Sequence, residues 1–181
     1  MCIRDSCLPG GKQGEADADA VSCATREAWE EIGLPPDGVE VLCSLPPVLS
    51  VGGFSVTPVV GRLLAPSFVP VPNPGEVAAM LHAPLCAFLA AERHSHRDVQ
   101  WASPAGGSVV YRLHYFQHTE AGRGPSSLPE EYTVWGLTAA VLIDIAALAL
   151  GRPPQFVRDA PGGAPYSRLH HDGVGVRLRG E

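Results

Sequence analysis

Three glutamates in one short stretch, Glu27, Glu30 and Glu31, have types and spacing that suit metal chemistry. Residues three and four positions apart share a helix face, so in a helix these carboxylates occupy an arc of roughly 100°. Like charges this close repel one another, and a divalent cation removes the repulsion. Carboxylate oxygens on a rigid element suit Mg²⁺ or Mn²⁺, which take further ligands from water and phosphates. The stretch predicts a metal site, although a solvated acidic face has the same pattern.

A helix is expected around these glutamates on independent grounds. The interval from Asp19 to Ile32 has the apolar spacing of an amphipathic helix. Asp19 is suited to cap its start, Gly33 is suited to a left-handed cap at its end, and a Pro-Pro pair then prevents continuation. Arg26 lies beside the acidic cluster, and we expect it to orient one carboxylate through paired hydrogen bonds.

The stretch from Arg26 to Leu34 reads Arg-Glu-Ala-Trp-Glu-Glu-Ile-Gly-Leu. It resembles the core of the Nudix box, Arg-Glu-(apolar)-x-Glu-Glu-x-Gly-(apolar). The upstream half departs from the general box: its glutamate position holds Ala18, between Asp17 and Asp19, and its glycine position holds Lys12. The loop is therefore one residue longer than usual, and this variation is similar to the coenzyme A diphosphatase branch of the family.

Further segments support the same resemblance. They occur in the family's order and extend the likeness from about Leu8 to Phe156: Thr57 to Gly61, Asn73 to Val77, Ala83 to Leu85, and Trp135 to Ala139. The resemblance implies a Nudix hydrolase domain over residues 1–156. We expect a weakly ordered tail at 157–181, where Gly, Arg and His are frequent and no period is sustained.

The resemblance implies an α+β Nudix fold, with a mixed β-sheet between helices. Short β-like runs predict strands at Val39–Cys43 and Val56–Leu64, and alternation predicts one at Val109–Phe116. A second helix is expected at Leu137–Leu150. Members of the family normally have strands before the glycine turn at Gly10 and Gly11. Only seven residues precede Leu8 here, so we expect these N-terminal strands to be missing and the sheet to have an exposed edge.

The activity that the resemblance implies is metal-dependent hydrolysis of the diphosphate bond of coenzyme A or its thioesters, giving 3′,5′-ADP and (acyl-)4′-phosphopantetheine. The catalytic candidates are Arg26 and the metal ligands Glu27, Glu30 and Glu31, and the candidates for substrate binding are Gly10, Gly11 and Lys12. Glu27 is one candidate for the general base. Glu130 and Glu131, expected in a later loop, are the others.

Two alternatives stay open. One is a Nudix hydrolase of another nucleoside diphosphate derivative, such as ADP-ribose, NADH or a nucleoside triphosphate. The other is a truncated, non-catalytic Nudix-fold module that binds a ligand.

Composition narrows the remaining possibilities. The formal net charge of -6 argues against nucleic acid as a partner. The five cysteines form no Cys-x-x-Cys pair, which argues against a zinc site and favours reduced thiols in an intracellular protein. The spacing of the histidines fits no compact metal site. The apolar run from Val134 to Leu150 is short for a membrane span and contains Asp144, so a core helix is the better interpretation. Cytoplasm, mitochondrion and peroxisome are not distinguished, and nothing indicates the oligomeric state.

Overall fold

A computed structural model describes residues 6–50, 53–102, 108–120, 130–163, 169–171 and 176–178. The helices and strands in these residues are, in chain order, α1 (Ala20–Ile32), β1 (Val39–Ser44), β2 (Val48–Leu49), β3 (Ser55–Val56), β4 (Val59–Leu63), β5 (His94–Ala102), β6 (Ser108–Glu120), β7 (Glu130–Trp135), α2 (Gly136–Leu150), β8 (Leu169–His171) and β9 (Val176–Leu178). Two short 3₁₀ helices lie at Pro36–Gly38 and Leu85–Leu89.

Helix α1 begins and ends where the sequence predicts. The Asp19 carboxylate accepts a hydrogen bond of 2.8 Å from the Ser22 N–H, and the Ser22 hydroxyl oxygen accepts one of 2.9 Å from the Asp19 N–H. This reciprocal pair satisfies amide groups that have no partner within the helix. At the other end Gly33 has φ of 69°, a left-handed conformation that favours glycine, and its N–H donates to the Trp29 carbonyl.

Helix α2 is also confirmed, and it ends at Gly151 with φ of 61°. Its side chains are apolar except for those of Thr138 and Asp144, as expected for a core helix. Ala139, Ile143 and Ala146 are at most 1% exposed and pack in a core with Phe88, Leu89, Phe116 and Val134. Among the described residues, no helix combines the length and the apolar character that crossing a membrane requires.

The described strands pair in antiparallel fashion throughout. β5, β6 and β7 form a three-stranded sheet, and β1–β4, β2–β3 and β8–β9 form two-stranded sheets. The α+β class is confirmed by these sheets and the two helices. No parallel pair, as a mixed sheet requires, is among the described residues.

The chain divides into two compact units. The unit that we call the α1 unit consists of Leu8–Pro46 and Thr57–Met80, and the α2 unit contains the other described residues. Every residue predicted for the metal site lies in the α1 unit. The hydrophobic core around α2 lies in the other unit.

Several strands were not expected from the sequence, among them β5 and β7. β5 is rich in polar residues and follows from its pairing with β6 over nine residues, His94 to Ala102. β7 contains Glu130 and Glu131, so the expectation of a loop at these two acids was wrong. Their backbones pair with Glu120 and Thr119 of β6, and this pairing fixes the extended conformation.

The predicted tail is described only in part. Residues 164–168, 172–175 and 179–181 lie outside the described residues, as do residues 1–5 at the other end of the chain. Just after α2, the Arg158 guanidinium forms two hydrogen bonds of 2.6 and 2.7 Å from Nη2 to the Asp144 carboxylate. Ala160 is only 4% exposed. The first residues of this segment are therefore attached to the α2 unit.

Candidate active site

Arg26 organises the acidic end of the α1 unit. Its Nε and Nη2 donate to the two carboxylate oxygens of Asp17, at 3.0 and 2.9 Å. Asp17 Oδ2 also accepts a 2.8 Å hydrogen bond from the Gly14 N–H, and only 4% of the Asp17 side chain is exposed. The hydrogen bonds from Arg26, and next that from Gly14, lower the pKa of Asp17 to about 2. Asp17 is thus the acid that pairs with Arg26, whereas Asp19 caps the helix.

The third nitrogen of Arg26 faces the predicted metal ligands. Nη1 lies 2.9 Å from Glu27 Oε1 and 2.9 Å from Glu30 Oε2. Asp17 and Glu27 raise the pKa of Arg26, with the hydrogen bond to Asp17 as the largest cause and that to Glu27 next. The sequence predicts that Arg26 orients one carboxylate, and the structure shows that it orients three.

Gly11 lies directly against the Glu27 carboxylate. A Cβ atom at Gly11 would lie 2.2 Å from Glu27 Oε1 and 2.5 Å from its Cδ, much closer than such atoms approach. Only 14% of the Glu27 side chain is exposed, because the glycine turn covers it. A residue without a side chain is therefore required at position 11 for the glutamate to occupy this place.

The ionisation of Glu31 is disfavoured by its surroundings. Burial raises its pKa, and the nearby negative charges of Glu27, Glu76 and Glu30 raise it further. A hydrogen bond from the Gly10 N–H to its carboxylate acts in the opposite direction. The glycine turn thus contacts the acidic helix twice, through the backbone at Gly10 and through the close approach at Gly11.

Glu76 is a fourth carboxylate that sequence reasoning did not assign to the site. Backbone hydrogen bonds connect its loop to the end of α1: the Asn73 N–H donates to the Glu31 carbonyl at 2.8 Å, and the Val71 N–H donates to the Ile32 carbonyl at 3.0 Å. The Asn73 side chain accepts from the Gly75 N–H and the Asn73 carbonyl accepts from the Glu76 N–H, which forms a tight turn. The Asn-Pro-Gly signature predicts the turn, but no local signal indicates that it meets α1.

The other candidates are placed as follows. Lys12 is exposed, and its carbonyl accepts a 3.3 Å hydrogen bond from Arg26 Nη2. A contact from its side chain to a phosphate stays a prediction. Glu131 is exposed on β7, in the α2 unit, and a role for Glu130 or Glu131 as general base also stays a prediction.

The carboxylates of this cluster are oxygen donors of the type that a hard cation prefers. They lie close together, since the charges of Glu27, Glu76 and Glu30 all raise the pKa of Glu31. Within the described part of the chain, however, no three acidic, histidine or cysteine side chains converge as a ready-made metal site. Arg26 holds Glu27 and Glu30 instead. A cation bound here would displace the guanidinium contacts or add to them, with Glu27, Glu30, Glu31 and Glu76 as the oxygen donors.

Comparison with known proteins places this arrangement in a family. The sequence model described as the NUDIX domain matches residues 3–105, more than half of the chain, and the chain belongs to the Nudix family. Members of this family generally depend on a divalent metal.

Several relatives are similar over most of the chain. It is 42% identical over 155 residues to "Nudix hydrolase 15, mitochondrial" of Arabidopsis thaliana, and the aligned region covers 85% of the chain and 50% of that protein. It is 39% identical over 164 residues to "Nudix hydrolase 22, chloroplastic" of the same plant, covering 90% and 50%. The "Uncharacterized Nudix hydrolase NudL" of Escherichia coli (strain K12 / DH10B) is 36% identical over 147 residues, covering 81% and 67%. The chain spans about half the length of the plant relatives.

The pairing of Asp17 with Arg26 leads to a prediction about stability and pH. The pKa of Asp17 is about 2 in the folded chain and 3.8 for an unperturbed carboxyl, so its stabilising effect is complete above the higher value and is lost as pH falls toward the lower one. We expect Asp17→Asn to lower the melting temperature at neutral pH, and we expect the difference from the unsubstituted chain to shrink between about pH 5 and about pH 2.

Thermal unfolding monitored by circular dichroism across this pH range checks the prediction. Asp37→Asn, at an exposed acid in the 3₁₀ helix Pro36–Gly38, serves as the matched control and should leave the melting temperature nearly unchanged. A difference for Asp17→Asn that stays constant down to pH 2 would contradict the assignment of Asp17 as the ion-pair partner.

Proposed function

We propose that this chain hydrolyses the diphosphate bond of coenzyme A or its thioesters, with Mg²⁺ or Mn²⁺ as cofactor, giving 3′,5′-ADP and (acyl-)4′-phosphopantetheine. The observation that carries the proposal is the cluster of Glu27, Glu30, Glu31 and Glu76 around a glycine turn, with Arg26 as the cation that contacts two of them. A negatively charged site of this kind needs a divalent cation to accept a negatively charged diphosphate. Membership of the Nudix family supports a diphosphate as the reacting group.

The choice of coenzyme A rests on the sequence. The stretch from Gly10 to Glu27 has the one-residue longer loop of the coenzyme A diphosphatase branch, and two acids of this loop make distinct contacts, Asp17 with Arg26 and Asp19 with Ser22. Asn73 to Val77 also resembles that branch, and this segment contains Glu76. These likenesses favour the coenzyme A branch over other nucleotide substrates.

In this proposal the chain's own residues position the reacting groups. Glu27, Glu30, Glu31 and Glu76 would hold the cation, which supplies charge neutralisation and Lewis-acid polarisation of the diphosphate oxygens. Arg26 fixes the carboxylates relative to one another, and Asp17 fixes Arg26. Gly10 and Gly11 hold the acids in place, the first through its N–H to Glu31 and the second through the space that Glu27 occupies, and this turn would contact a phosphate of the substrate. For phosphoryl transfer, such positioning and charge stabilisation account for most of the rate enhancement.

The test is a substrate panel. The purified chain is incubated with coenzyme A, acetyl-coenzyme A, ADP-ribose and NADH, each with Mg²⁺ or Mn²⁺ and with EDTA as a control, and the products are separated by chromatography. We expect 3′,5′-ADP from the first two substrates and none with EDTA. Turnover of ADP-ribose or NADH alone would replace coenzyme A by another nucleoside diphosphate derivative. No turnover of any substrate, with calorimetry still showing ligand binding, would indicate a binding module.

A further inference from the structure

Two histidines of the α2 unit form a hydrogen-bonded pair, in which His114 is buried and His94 is half-buried. His94 on β5 and His114 on β6 place Nε2 and Nδ1 2.9 Å apart, and the other nitrogen of His114, Nε2, lies 2.8 Å from the Arg158 carbonyl oxygen. His114 is only 3% exposed. We call His94 and His114 the histidine pair. The sequence gives no compact metal site at these histidines, and the contacts with each other and with Arg158 come from strand pairing and from the segment that follows α2.

The hydrogen bonds fix the protons of the pair. A carbonyl oxygen only accepts, so His114 Nε2 carries a proton and donates to Arg158. In a neutral imidazole the other nitrogen is then an acceptor, so His94 Nε2 donates to His114 Nδ1. A proton added to His114 Nδ1 would place two N–H groups head to head. Only His94 Nδ1 can take a proton without breaking this chain of hydrogen bonds.

The segment from Gln155 to Ala160 is attached through this pair and its surroundings. The Phe156 ring stacks on His94, with centroids 3.7 Å apart and planes at 15°. The Val157 carbonyl accepts from Arg112 Nη1 at 3.0 Å, and the Gln155 N–H donates to the Leu89 carbonyl at 2.8 Å. Phe156 therefore covers one face of the His94 ring while the segment is attached.

The charged groups around the pair are cations or carboxylates already engaged by arginine. His96 of β5 stacks near His94, and Arg112 of β6 and Arg158 after α2 face the pair. The carboxylates nearby bind these arginines: Asp98 of β5 pairs with Arg112, and Asp144 of α2 and Asp159 pair with Arg158. An added proton therefore meets mainly positive neighbours.

We propose that the histidine pair makes attachment of the segment Gln155–Ala160 dependent on pH, so that the segment is held at neutral pH and detaches as the pair is protonated. Detachment exposes Phe156 and frees the two imidazoles to accept protons in water. The structure assigns this role to the pair because the segment covers both rings, through the Phe156 stack on His94 and the Arg158 carbonyl on His114, and because Arg112 and Arg158 lie beside them.

The direction of the effect follows from the pKa shifts. Burial, followed by the charges of His114 and His96, lowers the pKa of His94 to about 4 from 6.5, and burial also lowers the pKa of His114. Because the histidine pKa is lower in the attached state, the detached state binds protons more strongly and is favoured as pH falls. Attachment is thus at full strength above about pH 6.5 and weakens as pH falls toward 4. For His94 alone, linkage predicts a change of roughly twentyfold in the opening equilibrium between about pH 7 and about pH 5.

Hydrogen–deuterium exchange tests the proposal on the whole chain. After correction for intrinsic exchange rates, protection of the amides in Gln155–Ala160 should fall roughly twentyfold between about pH 7 and about pH 5. Amides of α1, in the other unit, serve as the internal reference and should change much less. Equal protection at both pH values in Gln155–Ala160 would overturn the proposal.

His94→Gln is the matched variant, because its amide can donate to His114 Nδ1 but does not titrate. We expect the pH-dependent loss of protection to fall to below about fivefold. His82→Gln removes an exposed histidine elsewhere in the α2 unit and should keep the full twentyfold change. A full change in His94→Gln, or the same reduction in His82→Gln, would contradict the role of the pair.

Nuclear magnetic resonance of the unsubstituted chain tests the pair even if the variant fails to fold. Two-bond ¹⁵N–¹H correlations of the imidazoles should show the Nε2–H form for both His94 and His114 at neutral pH, with titration midpoints below that of a free histidine. A midpoint near 6.5 for His94, or an Nδ1–H form for His114, would overturn the proposal.

Discussion

Replacing Glu31 with glutamine is expected to lower the turnover number on the order of a hundredfold or more while the chain stays folded. Under the proposed function, Glu31 donates an oxygen to the cation that neutralises charge on the diphosphate. Loss of one such electrostatic contact commonly costs a factor of this size. Glutamine keeps the shape of the side chain and its ability to accept from the Gly10 N–H, so the effect isolates the negative charge.

The same substitution should leave the melting temperature unchanged or raise it. The raised pKa of Glu31, caused first by burial and then by Glu27, Glu76 and Glu30, means that its ionised form opposes folding. For an acid with a raised pKa, stability is higher below its unperturbed pKa and falls as pH rises through the folded-state pKa. Removing the charge removes this penalty wherever Glu31 is ionised in the folded chain.

Steady-state kinetics with the substrate found in the panel, together with differential scanning fluorimetry, measures both quantities. Glu15→Gln is the matched control, because it makes the same chemical change at an exposed residue of the preceding loop. It should change turnover by less than about twofold. Full activity in Glu31→Gln would remove Glu31 from the site, whereas a large drop in melting temperature would assign it a structural role.

Gly11→Ala is expected to lower turnover by about a hundredfold, because the new methyl group and the Glu27 carboxylate cannot occupy the same space. The Cβ would lie 2.2 Å from Glu27 Oε1, and the flexible glutamate is the group that moves. That movement also breaks its 2.9 Å contact with Arg26 Nη1. Misplacement of a catalytic group by roughly 1 Å can reduce the rate by this factor.

Gly10→Ala provides the comparison for this prediction. It adds the same methyl group one residue earlier, where a Cβ would meet nothing within 4 Å. The loss in Gly11→Ala should be at least about tenfold greater than in Gly10→Ala, with similar melting temperatures. Equal losses would show that the turn acts through its flexibility rather than through the space it leaves for Glu27. If Gly11→Ala acts through displacement of Glu27, a variant with both residues substituted should lose no more turnover than the variant with Glu27 alone substituted.

Helix α1 could be predicted with its caps because both ends depend on local rules. Asp19 and Gly33 are residues whose types match the backbone geometry at a helix start and a helix end. The acidic face followed from spacing alone. The sequence did not distinguish Asp17 from Asp19 as the partner of Arg26, since both flank the position that the family fills with glutamate. The acid that caps the helix is not available to Arg26, and which of the two acids caps it depends on the three-dimensional course of the loop.

Long-range contacts explain most of what was missed. Glu76 joins the cluster through backbone hydrogen bonds between Asn73 and the end of α1, and no periodicity in the sequence reports such a pairing. β5 has the polar composition of a loop, and it is a strand because β6 pairs with it. The histidine pair likewise joins residues from two strands with the carbonyl of Arg158, which lies far along the chain.

The division of the chain into two interleaved units has a consequence for its synthesis. All of the α1 unit has been made once Met80 has left the ribosome, so its acidic cluster can assemble early. The hairpin of β2 and β3 is made before that point but belongs to the α2 unit, where Val48 and Leu49 are 6% and 2% exposed. Until the chain beyond Leu81 emerges, those two apolar side chains have no core to enter. We expect chaperones that recognise nascent chains to engage this hairpin first.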